Sequence, residues 1–262
     1  MESNDIKIYE FGHFKNLSSI VHGIFTRAGG TSTDVFNSLN IGINSGDDPK
    51  AVARNRDIII KKMGMKSFVF LNQVHKDSIK ILKKEELELS ELELFGKKIS
   101  NIETYTADSI VTDMKELALV IQVADCQSVM LYDHKKKVIA NIHSGWRGSV
   151  KNIIGKTLDK MILKFGCRPE NIMAGISPSL GPCCSEFINY KDEIPQDLWK
   201  YKSKNNECFN FWKISLDQLL KKGVKKEHIE NMEICTKCNT QKFYSFRGEK
   251  ITGRFACVIS MI

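Results

Sequence analysis

The chain has 262 residues, of which 42% are hydrophobic, and its 39 Lys and Arg against 31 Asp and Glu give a formal net charge of +8. This length supports one sizeable hydrophobic core, and no window approaches the roughly 20 apolar residues that span a bilayer. Residues 1–5 lack the basic start and apolar run of a secretory signal, so we expect a cytoplasmic protein whose eight cysteines form no disulfide framework.

The N-terminal part predicts a strand followed by a helix. A strand is predicted over residues 20–26, and a glycine-bearing turn follows it. Asp48 before Pro49 is typical of a helix N-cap and a first helical position. We expect this helix to end near Gly64.

Two further strands are predicted over residues 68–74 and 78–83, and His75 falls in the turn between them. Residues 84–103 are charged with interleaved leucines, which predicts a short helix or a surface excursion. No residue of that charged segment indicates chemistry.

The middle of the chain predicts four successive β-strands and then a long helix. The strands are expected over residues 109–112, 117–123, 128–132 and 137–142, with turn residues between them. The helix is predicted over residues 147–165, because its apolar side chains recur at helical spacing, and Gly166 is its expected end.

The C-terminal part continues with three strands and one helix. Strands are predicted over residues 171–176, 231–235 and 254–260, and a helix over residues 213–222. Strands outnumber helices and often follow one another directly, which favours an α+β fold over a regular βαβ winding. We predict one domain over residues 1–262, built as a mixed layered sandwich of the α/β/β/α type.

Three short segments each place a metal-binding side chain at the end of a predicted strand. They are Asn72-Gln-Val-His75, Ala124-Asp-Cys126 and Ile142-His-Ser-Gly-Trp-Arg-Gly148. If the strands are neighbours in the sheet, His75, Cys126 and His143 meet at one rim. Two neutral imidazoles and one thiolate suit Zn²⁺, and three protein ligands leave the fourth position open, as in catalytic zinc sites.

These segments and several others resemble a family known as multicopper polyphenol oxidoreductases or laccase-domain proteins, whose members are described as YfiH-type purine nucleoside phosphorylases. The resemblance runs in order over about residues 20–260. The matching segments are His22 to Gly30, Leu39 to Gly42, Asn72 to His75, Ala107 to Asp113, Ala124 to Cys126, His143 to Gly148, Gly181 to Cys183, Cys235-Thr236 and Thr252 to Arg254.

The resemblance implies a function as well as a ligand set. It implies a zinc or copper ion bound by His75, Cys126 and His143, which would make these three the catalytic residues. It also implies phosphorolysis of adenosine, inosine, guanosine and methylthioadenosine, with an additional adenosine deaminase activity. The sequence departs from the family at Val123, Ser144 and Ser185; none of these is a proposed ligand, so the departures bear on substrate preference.

Four residues are candidates for binding substrate or phosphate. Arg27, beside a glycine turn, is expected to bind phosphate with help from turn amides, and its alternative role is that of a surface arginine. Arg147 lies at the start of the predicted helix, where backbone N–H groups favour an anion; a structural salt bridge is its alternative. Asn72 and Gln73 precede His75 and are expected to hydrogen-bond a purine or a ribose.

Two further residues are candidates for supporting the metal ligands. Asp125, next to Cys126, is expected to hold a ligand imidazole or to carry a proton, although a structural turn cap is the alternative. His22 is a reserve candidate for lining the site, against the simpler interpretation of a packed turn histidine.

Histidine and cysteine counts constrain the metal chemistry. A laccase needs a blue copper and a three-copper cluster, and the six histidines of this chain are too few to bind that set. Phenol oxidation would require a single copper, which binds such sites more tightly than zinc. Cys183, Cys184, Cys235 and Cys238 allow a four-cysteine zinc site, but adjacent cysteines rarely reach one ion, and reduced thiols are the simpler prediction.

Two other classes of function stay open on the residues alone. One is a cysteine hydrolase, with Cys126 as nucleophile and His143 or His75 as base, which would survive metal removal. The other is a non-catalytic binding module, whose binding would depend on salt and survive Cys126→Ala. Because the lysines are dispersed, we expect no nucleic-acid partner. The family resemblance implies purine nucleosides and phosphate as partners, and we expect no membrane association and a monomer or weak homodimer.

Overall fold

Strands dominate the structure, a computed structural model that describes residues 5–65, 67–83 and 105–262. The charged segment discussed above, residues 84–103, lies outside the described residues. In chain order the strands of the described part are β1 (Ile8–Tyr9), β2 (Ile20–Phe25), β3 (Ser67–Asn72), β4 (Ile79–Leu82), β5 (Tyr105–Thr106), β6 (Ser109–Thr112), β7 (Leu117–Val123), β8 (Gln127–Asp133), β9 (Val138–Ser144), β10 (Ile172–Ile176), β11 (Ile229–Asn231) and β12 (Phe255–Met261).

The helices of the described residues are mostly short. They are α1 (Gly12–Lys15), α2 (Pro49–Met63), α3 (Trp146–Val150), α4 (Ile153–Phe165), α5 (Tyr190–Glu193), α6 (Phe211–Lys221) and α7 (Phe246–Glu249). Single turns of 3₁₀-helix occur at Asp34–Phe36, Ile43–Ser45, Pro169–Asn171, Lys226–His228 and Lys237–Asn239, with a longer one at Gln196–Tyr201. Across the described ranges, none of the helices has both the length and the apolar character that crossing a bilayer requires.

The strands form two mixed six-stranded sheets. The first sheet has the order β1-β2-β12-β7-β3-β5, and the second has the order β11-β10-β8-β9-β6-β4. In the first sheet β3 runs parallel to β7 and β12 runs antiparallel to both β2 and β7. In the second sheet β8 and β9 form an antiparallel hairpin, and β4 runs parallel to β6. Consecutive strands β7 and β8 therefore belong to different sheets.

Three apolar layers hold the two sheets and their helices together. The central layer lies between the sheets, where alternate residues of β7 and β12 meet Met130, Tyr132 and Ile139 of the second sheet. An outer layer packs α2, through Ile59 and Met63, on the first sheet. The other outer layer packs α4 and Leu219 of α6 on the second sheet. The predicted α/β/β/α layered sandwich is confirmed.

One buried polar side chain links the two sheets across the central layer. Asn141 of β9 is fully buried, and its Nδ2 donates to the carbonyl oxygens of Leu119 and Cys257, both at 2.9 Å. Ser128 donates through Oγ to the Asn141 Oδ1 at 2.7 Å. The amide thus joins the second sheet to β7 and β12 of the first, two residues before His143.

Most predicted elements are confirmed to within two residues. Strands β6 and β7 have the predicted bounds, and β2, β3, β4, β8, β9, β10 and β12 differ from their predictions only at their ends. Helix α2 begins at Pro49 after the predicted cap, because the Asp48 side chain accepts from Lys50 N at 3.0 Å. It ends at Gly64, which takes a left-handed φ of 68°.

Two predicted elements are wrong in their bounds. The helix predicted over residues 147–165 is divided into α3 and α4, because Asn152 takes a left-handed conformation (φ 56°) and its side chain accepts from Gly155 N to cap α4. The strand predicted over residues 231–235 is found instead as β11, which pairs in parallel with β10 and ends at Asn231. Beyond it, Cys235 makes a single bridge with Ser179.

Candidate functional site

The three predicted ligands meet at one edge where the two sheets adjoin. His75 follows β3 of the first sheet, and His143 lies in β9 of the second, opposite Ser128. Cys126 belongs to the connection through which the chain passes from β7 to β8, and so from one sheet to the other. One nitrogen of each imidazole and the Cys126 sulfur lie within 4.8 Å of one another. Thus both sheets contribute to the cluster, whereas the sequence suggested one rim of a single sheet.

Asp108 positions both histidines of the cluster. Its carboxylate is fully buried and accepts from His143 Nδ1 at 2.8 Å. It also accepts from the backbone N–H groups of His75 and Lys76, each at 2.8 Å. Burial alone would raise the pKa of this carboxyl, but these hydrogen bonds hold its pKa below the usual 3.8. With Nδ1 of His143 engaged, Nε2 is the nitrogen that remains to face Cys126.

Backbone conformation brings His75 to this position. His75 takes a φ of 56°, a left-handed backbone conformation that few residues other than glycine adopt readily. The two hydrogen bonds from His75 and Lys76 to Asp108 stabilise this turn directly after β3. The His75 and His143 rings then lie edge to face, with centroids 4.8 Å apart.

Gly145 leaves the space that the cluster needs. A Cβ at Gly145 would lie 2.8 Å from the Cys126 sulfur and 3.6 Å from a ring carbon of His75. Contacts of 2.8 Å between a methyl carbon and sulfur are not found in stable packing, so the thiol would have to move. A residue without a side chain is therefore required between β9 and α3.

Electrostatics favour a thiolate at Cys126. Burial disfavours the ionised thiol, but the neighbouring His143 and His75 imidazoles outweigh it, and the pKa of Cys126 falls to about 6. Burial likewise opposes protonation of His143, yet Cys126 and Asp108 raise its pKa to about 9. Both shifts favour a thiolate at Cys126 beside a protonated His143, and the thiolate is the form of cysteine that binds metals or attacks electrophiles.

The donor set at this cluster fits a zinc-type ion. Two imidazoles and one thiolate provide three ligands of the kind that zinc prefers. The imidazole of His143 is held by a carboxylate, as is usual for metal-binding histidines. His75 is exposed and Cys126 is half-buried, and both line a solvent-accessible cavity. Copper would also accept these donors.

A cavity of about 540 Å³ opens at the cluster. This volume lies within the range typical of small-molecule sites. One part of its wall is aromatic, formed by Phe187 and Phe211, which are buried, and by Phe246, which is 54% exposed. Such rings offer flat apolar surfaces of the size of a nucleobase.

Three arginines line the same cavity and make it attractive to an anion. Arg147 is exposed and its guanidinium stacks on Trp146 at 4.2 Å. Arg247 donates to the Glu186 carbonyl at 2.7 Å. Arg254 donates to two backbone carbonyls and is half-buried; burial lowers its pKa from the usual 12.5, while Cys126 and Asp125 oppose that effect. Because α3 has only five residues, the guanidinium groups rather than a helix end would hold an anion.

Three of the predicted binding residues line this cavity, although the amide of one of them is hydrogen-bonded to a neighbouring strand. Arg147 is one of them, as described above. Asn72 is half-buried in the wall and donates to Thr106 Oγ1 at 3.2 Å. The Gln73 amide both donates to and accepts from the Gln122 backbone at 2.9 Å, so it extends the β3–β7 pairing and has little capacity left for a substrate.

The structure places the other predicted residues away from the metal ligands. Arg27 is not among the cavity residues; its guanidinium donates to Asn37 O, Thr240 O and the Glu249 carboxylate. His22 is buried against Phe11 and Phe14, and its Nε2 accepts from Phe11 N at 2.7 Å. Neither arrangement supports the predicted contact with substrate.

Asp125 lines the cavity but holds no imidazole. Its carboxylate accepts from Thr236 Oγ1 and Ser245 Oγ at 2.7 Å and from Arg247 N at 2.5 Å. Asp125 therefore fastens the β7–β8 connection to the C-terminal loops, as the alternative of a structural cap anticipated. Asp108 performs the task that we predicted for Asp125.

The sequence prediction missed Asp108, Gly145, Arg247 and Arg254. Asp108 and Gly145 lie inside segments singled out for their resemblance, but only the fold shows that both touch the ligands. Arg254 carried a weaker signal as the last residue of Thr252-Gly-Arg254. Nothing in the local sequence distinguishes Arg247 from a surface arginine.

The six histidines do not gather into a multi-copper centre. All six lie in the described part of the chain, and of them only His75 and His143 line the cavity. His13 pairs with Glu230 at 2.8 Å, and His134 contacts the Asn171 carbonyl at 2.8 Å. This separation agrees with the count-based argument against a laccase copper set.

Comparisons with known proteins agree with this fold and show its family. A family described as "Multi-copper polyphenol oxidoreductase laccase" matches residues 21–262. A purine nucleoside phosphorylase from Bacteroides thetaiotaomicron is 27% identical over 255 residues, covering 94% of this chain and 92% of the relative. One from Corynebacterium glutamicum is 30% identical over 247 residues, covering 89% of this chain and 91% of the relative. The crystal structure of the hypothetical protein YfiH from Bacillus licheniformis superposes with a TM-score of 0.85 at 25% identity, over 100% of this chain and 98% of that one.

Proposed function

The chain belongs to the family described as multi-copper polyphenol oxidoreductase laccase, and from that premise we propose that it is a metal-dependent purine nucleoside phosphorylase. Its substrates are adenosine, inosine, guanosine and methylthioadenosine, which it converts with phosphate into free base and the sugar 1-phosphate. We extend the proposal to adenosine deamination at the same site and to a single catalytic domain over residues 1–262.

One observation carries the proposal. The ligand atoms of His75, Cys126 and His143 lie within 4.8 Å of one another at a cavity of about 540 Å³, which three arginines line. A three-ligand metal position and an anion-binding wall in one cavity match the two chemical needs of nucleoside phosphorolysis. The relatives are named purine nucleoside phosphorylase, which supplies the substrate class.

In phosphorolysis a phosphate oxygen bonds to the anomeric carbon of the ribose as the bond from that carbon to the purine nitrogen breaks. The departing base takes the electron pair and needs a proton. Arg147 and Arg254 are placed to hold the phosphate by charge-assisted hydrogen bonds. Phe187, Phe211 and Phe246 are placed to contact the purine ring and to exclude water from it.

His75, Cys126 and His143 would hold the metal ion, and Asp108 fixes the orientation of the His143 ring. A bound zinc would supply a Lewis acid at its open coordination position. Both reactions need a Lewis acid: phosphorolysis to polarise a sugar or phosphate oxygen, and deamination to activate water. One cavity therefore suffices for both reactions. In phosphorolysis the protein would align the nucleoside with phosphate, and in deamination it would align the nucleoside with a water molecule.

The proposal is tested by product analysis. Purified zinc-loaded protein is incubated with each of the four nucleosides, with and without phosphate, and the products are separated by chromatography. Phosphorolysis gives the free base and the corresponding sugar 1-phosphate only when phosphate is present. Deamination gives inosine from adenosine whether or not phosphate is added. Absence of turnover of every nucleoside by metal-replete protein defeats the functional proposal.

A thiol-based hydrolase is the second candidate, because the pKa shifts of Cys126 and His143 favour a thiolate beside a protonated imidazole. Such a pair is what a nucleophilic cysteine and its base require. The two candidates separate on metal removal. Chelator-stripped protein loses phosphorolysis and regains it with zinc if the metal is required, whereas a thiol enzyme keeps its activity after stripping and loses it on alkylation of Cys126.

A further inference from the structure

Four cysteines that the candidate metal centre does not use come together from two loops. Cys183 and Cys184 lie in the turn that follows β10, and Cys235 and Cys238 lie in the segment after β11. All four sulfur atoms lie within 4.8 Å of one another. The Cys238 sulfur is 3.7 Å from that of Cys183 and 3.6 Å from that of Cys184.

These distances match a single tetrahedral ion better than any alternative linkage. Zinc–sulfur bonds of about 2.3 Å in tetrahedral geometry place the sulfurs about 3.8 Å apart. A disulfide requires a separation of about 2.0 Å. An iron–sulfur cluster would insert its own core between the cysteines and hold their sulfurs farther apart than a single ion does.

The backbone of each loop is arranged to direct two cysteines inward. In the first loop the N–H groups of Cys184 and Ser185 both donate to the Gly181 carbonyl, at 2.9 and 3.1 Å. This tight turn brings both adjacent cysteines to Cys238, which removes the objection that neighbours rarely share an ion. The second loop has C-x-x-C spacing and contains the 3₁₀ turn Lys237–Asn239.

A backbone hydrogen bond and a close backbone contact hold the Cys235 sulfur in the cluster. The Cys235 sulfur is buried and accepts from Gly181 N at 3.3 Å. A side chain at Gly181 would not fit, because its Cβ would lie 2.9 Å from that of Cys235.

We propose that Cys183, Cys184, Cys235 and Cys238 bind one zinc ion as a closed four-thiolate site. Four protein ligands leave no open position, so this site is structural. Thiolate ligands in tetrahedral arrangement select zinc among the common cellular ions. Three lysines line the shallow cavity beside Cys183. They are Lys200, Lys202 and Lys213.

The site joins the two loops that support the wall of the main cavity. Thr236, next to Cys235, donates through Oγ1 to the Asp125 carboxylate at 2.7 Å. Leu180, three residues before Cys183, donates through its N–H to the Asp125 carbonyl at 2.8 Å. Asp125 precedes Cys126, so the four-thiolate site braces the connection that carries the thiol of the candidate metal centre.

Metal analysis of variants tests the proposal independently of any activity. The full-length wild-type chain, purified from cells grown with zinc, is expected to contain two zinc ions per chain. Cys126→Ala removes a ligand of the other centre and is expected to retain one zinc. Adding Cys183→Ser and Cys238→Ser to the Cys126→Ala variant is expected to remove the remaining zinc ion. Cys208→Ser, which changes a buried cysteine outside both clusters, should keep both ions.

Cobalt substitution provides a second measurement that needs no cysteine variant. Cobalt bound by four thiolates absorbs visible light strongly and shows intense sulfur-to-metal bands, whereas a site with one thiolate shows much weaker ones. The proposal predicts the four-thiolate spectrum in the wild-type chain and its persistence in Cys126→Ala. It is overturned if Cys126→Ala binds neither zinc nor cobalt stoichiometrically, if the metal is iron, or if alkylation and mass spectrometry find these cysteines joined in a disulfide.

Discussion

Asp108→Asn is expected to weaken metal binding at the His75–Cys126–His143 centre while leaving the chain folded. The carboxylate accepts three hydrogen bonds of 2.8 Å, one from the His143 ring and two from backbone N–H groups. Asparagine retains one acceptor oxygen, but its NH₂ group must face one of these donors. The His143 ring then loses its charged partner or the turn at His75 loses a hydrogen bond.

The magnitude follows from these contacts. Loss of a carboxylate that orients a metal-binding histidine typically costs about 10–100-fold in metal affinity or activity, which corresponds to about 1.4–2.8 kcal/mol. One buried donor left without a partner costs a further 1–3 kcal/mol of stability, approximately. We therefore expect a metal dissociation constant raised by about one to two orders of magnitude, with a similar fall in kcat/KM for phosphorolysis.

Competition with a chelator of known affinity measures the metal dissociation constant, and urea denaturation measures the free energy of unfolding. Asp133→Asn is the matched control, because Asp133 is also fully buried and accepts three backbone hydrogen bonds, from Lys135, Lys136 and Arg168. It lies at the far end of β8, about 20 Å along the strand from Gln127. The control should lose stability without losing metal affinity. Equal metal affinity in Asp108→Asn and wild type would refute the assigned role.

Three further substitutions test separate parts of the structure. Gly145→Ala should lower kcat/KM by about 100-fold, since its Cβ would displace the Cys126 sulfur; this is measured by steady-state kinetics. Arg147→Gln should raise the KM for phosphate by about tenfold or more through loss of a charge-assisted hydrogen bond, with little change in the KM for the nucleoside. His22→Gln should flatten the pH dependence of stability, measured by urea unfolding. Burial lowers the pKa of His22 to about 4, so the unfolded chain binds an extra proton below pH 6.5, and wild type should lose about 2 kcal/mol between about pH 7 and pH 5 from this group.

Each of these predictions has a control and a contrary outcome. Gly148→Ala adds a methyl group three residues farther along, where the nearest atom lies at 3.3 Å, and should leave activity intact; wild-type activity in Gly145→Ala would contradict the steric argument. Arg54→Gln changes an exposed arginine on α2 and should not alter the KM for phosphate, and an unchanged KM in Arg147→Gln would remove that residue from the anion site. His134→Gln should keep the wild-type pH slope, and retention of that slope in His22→Gln would show that other groups produce it.

The layered fold follows from patterns that are local in the sequence. Strands β6 and β7 were predicted with their observed bounds, because turn residues flank short runs rich in β-branched and other apolar residues, nearly all of which are buried. The division of the helix at Asn152 could not be predicted in this way. Its residues keep helical periodicity on both sides, and only the left-handed conformation of one asparagine separates α3 from α4.

In the candidate site, too, some residues could be predicted from the sequence, whereas the roles of others depend on the fold. His75, Cys126 and His143 carry unusual side-chain chemistry, so residue type alone singled them out. Asp108 looks like any acidic residue before a strand, and its role depends on a turn of one sheet and a strand of the other meeting at its carboxylate. Arg27 illustrates the converse: its glycine-rich neighbourhood suggested an anion site, yet the fold supplies Glu249 as its partner at 2.7 Å.

The Asn141 amide helps to exclude arrangements in which the two sheets pack against each other with the wrong offset. Two apolar sheet faces offset by one residue pair would keep most of their buried area, so burial alone discriminates poorly between such arrangements. Any offset would leave the Asn141 amide without these two acceptors in a dry interior, and a buried polar group without a partner costs about 1–3 kcal/mol. Asparagine at this position thus supplies an energy gap between the native docking and its near neighbours, and His143, two residues farther along β9, reaches its partners only in the arrangement that this gap selects.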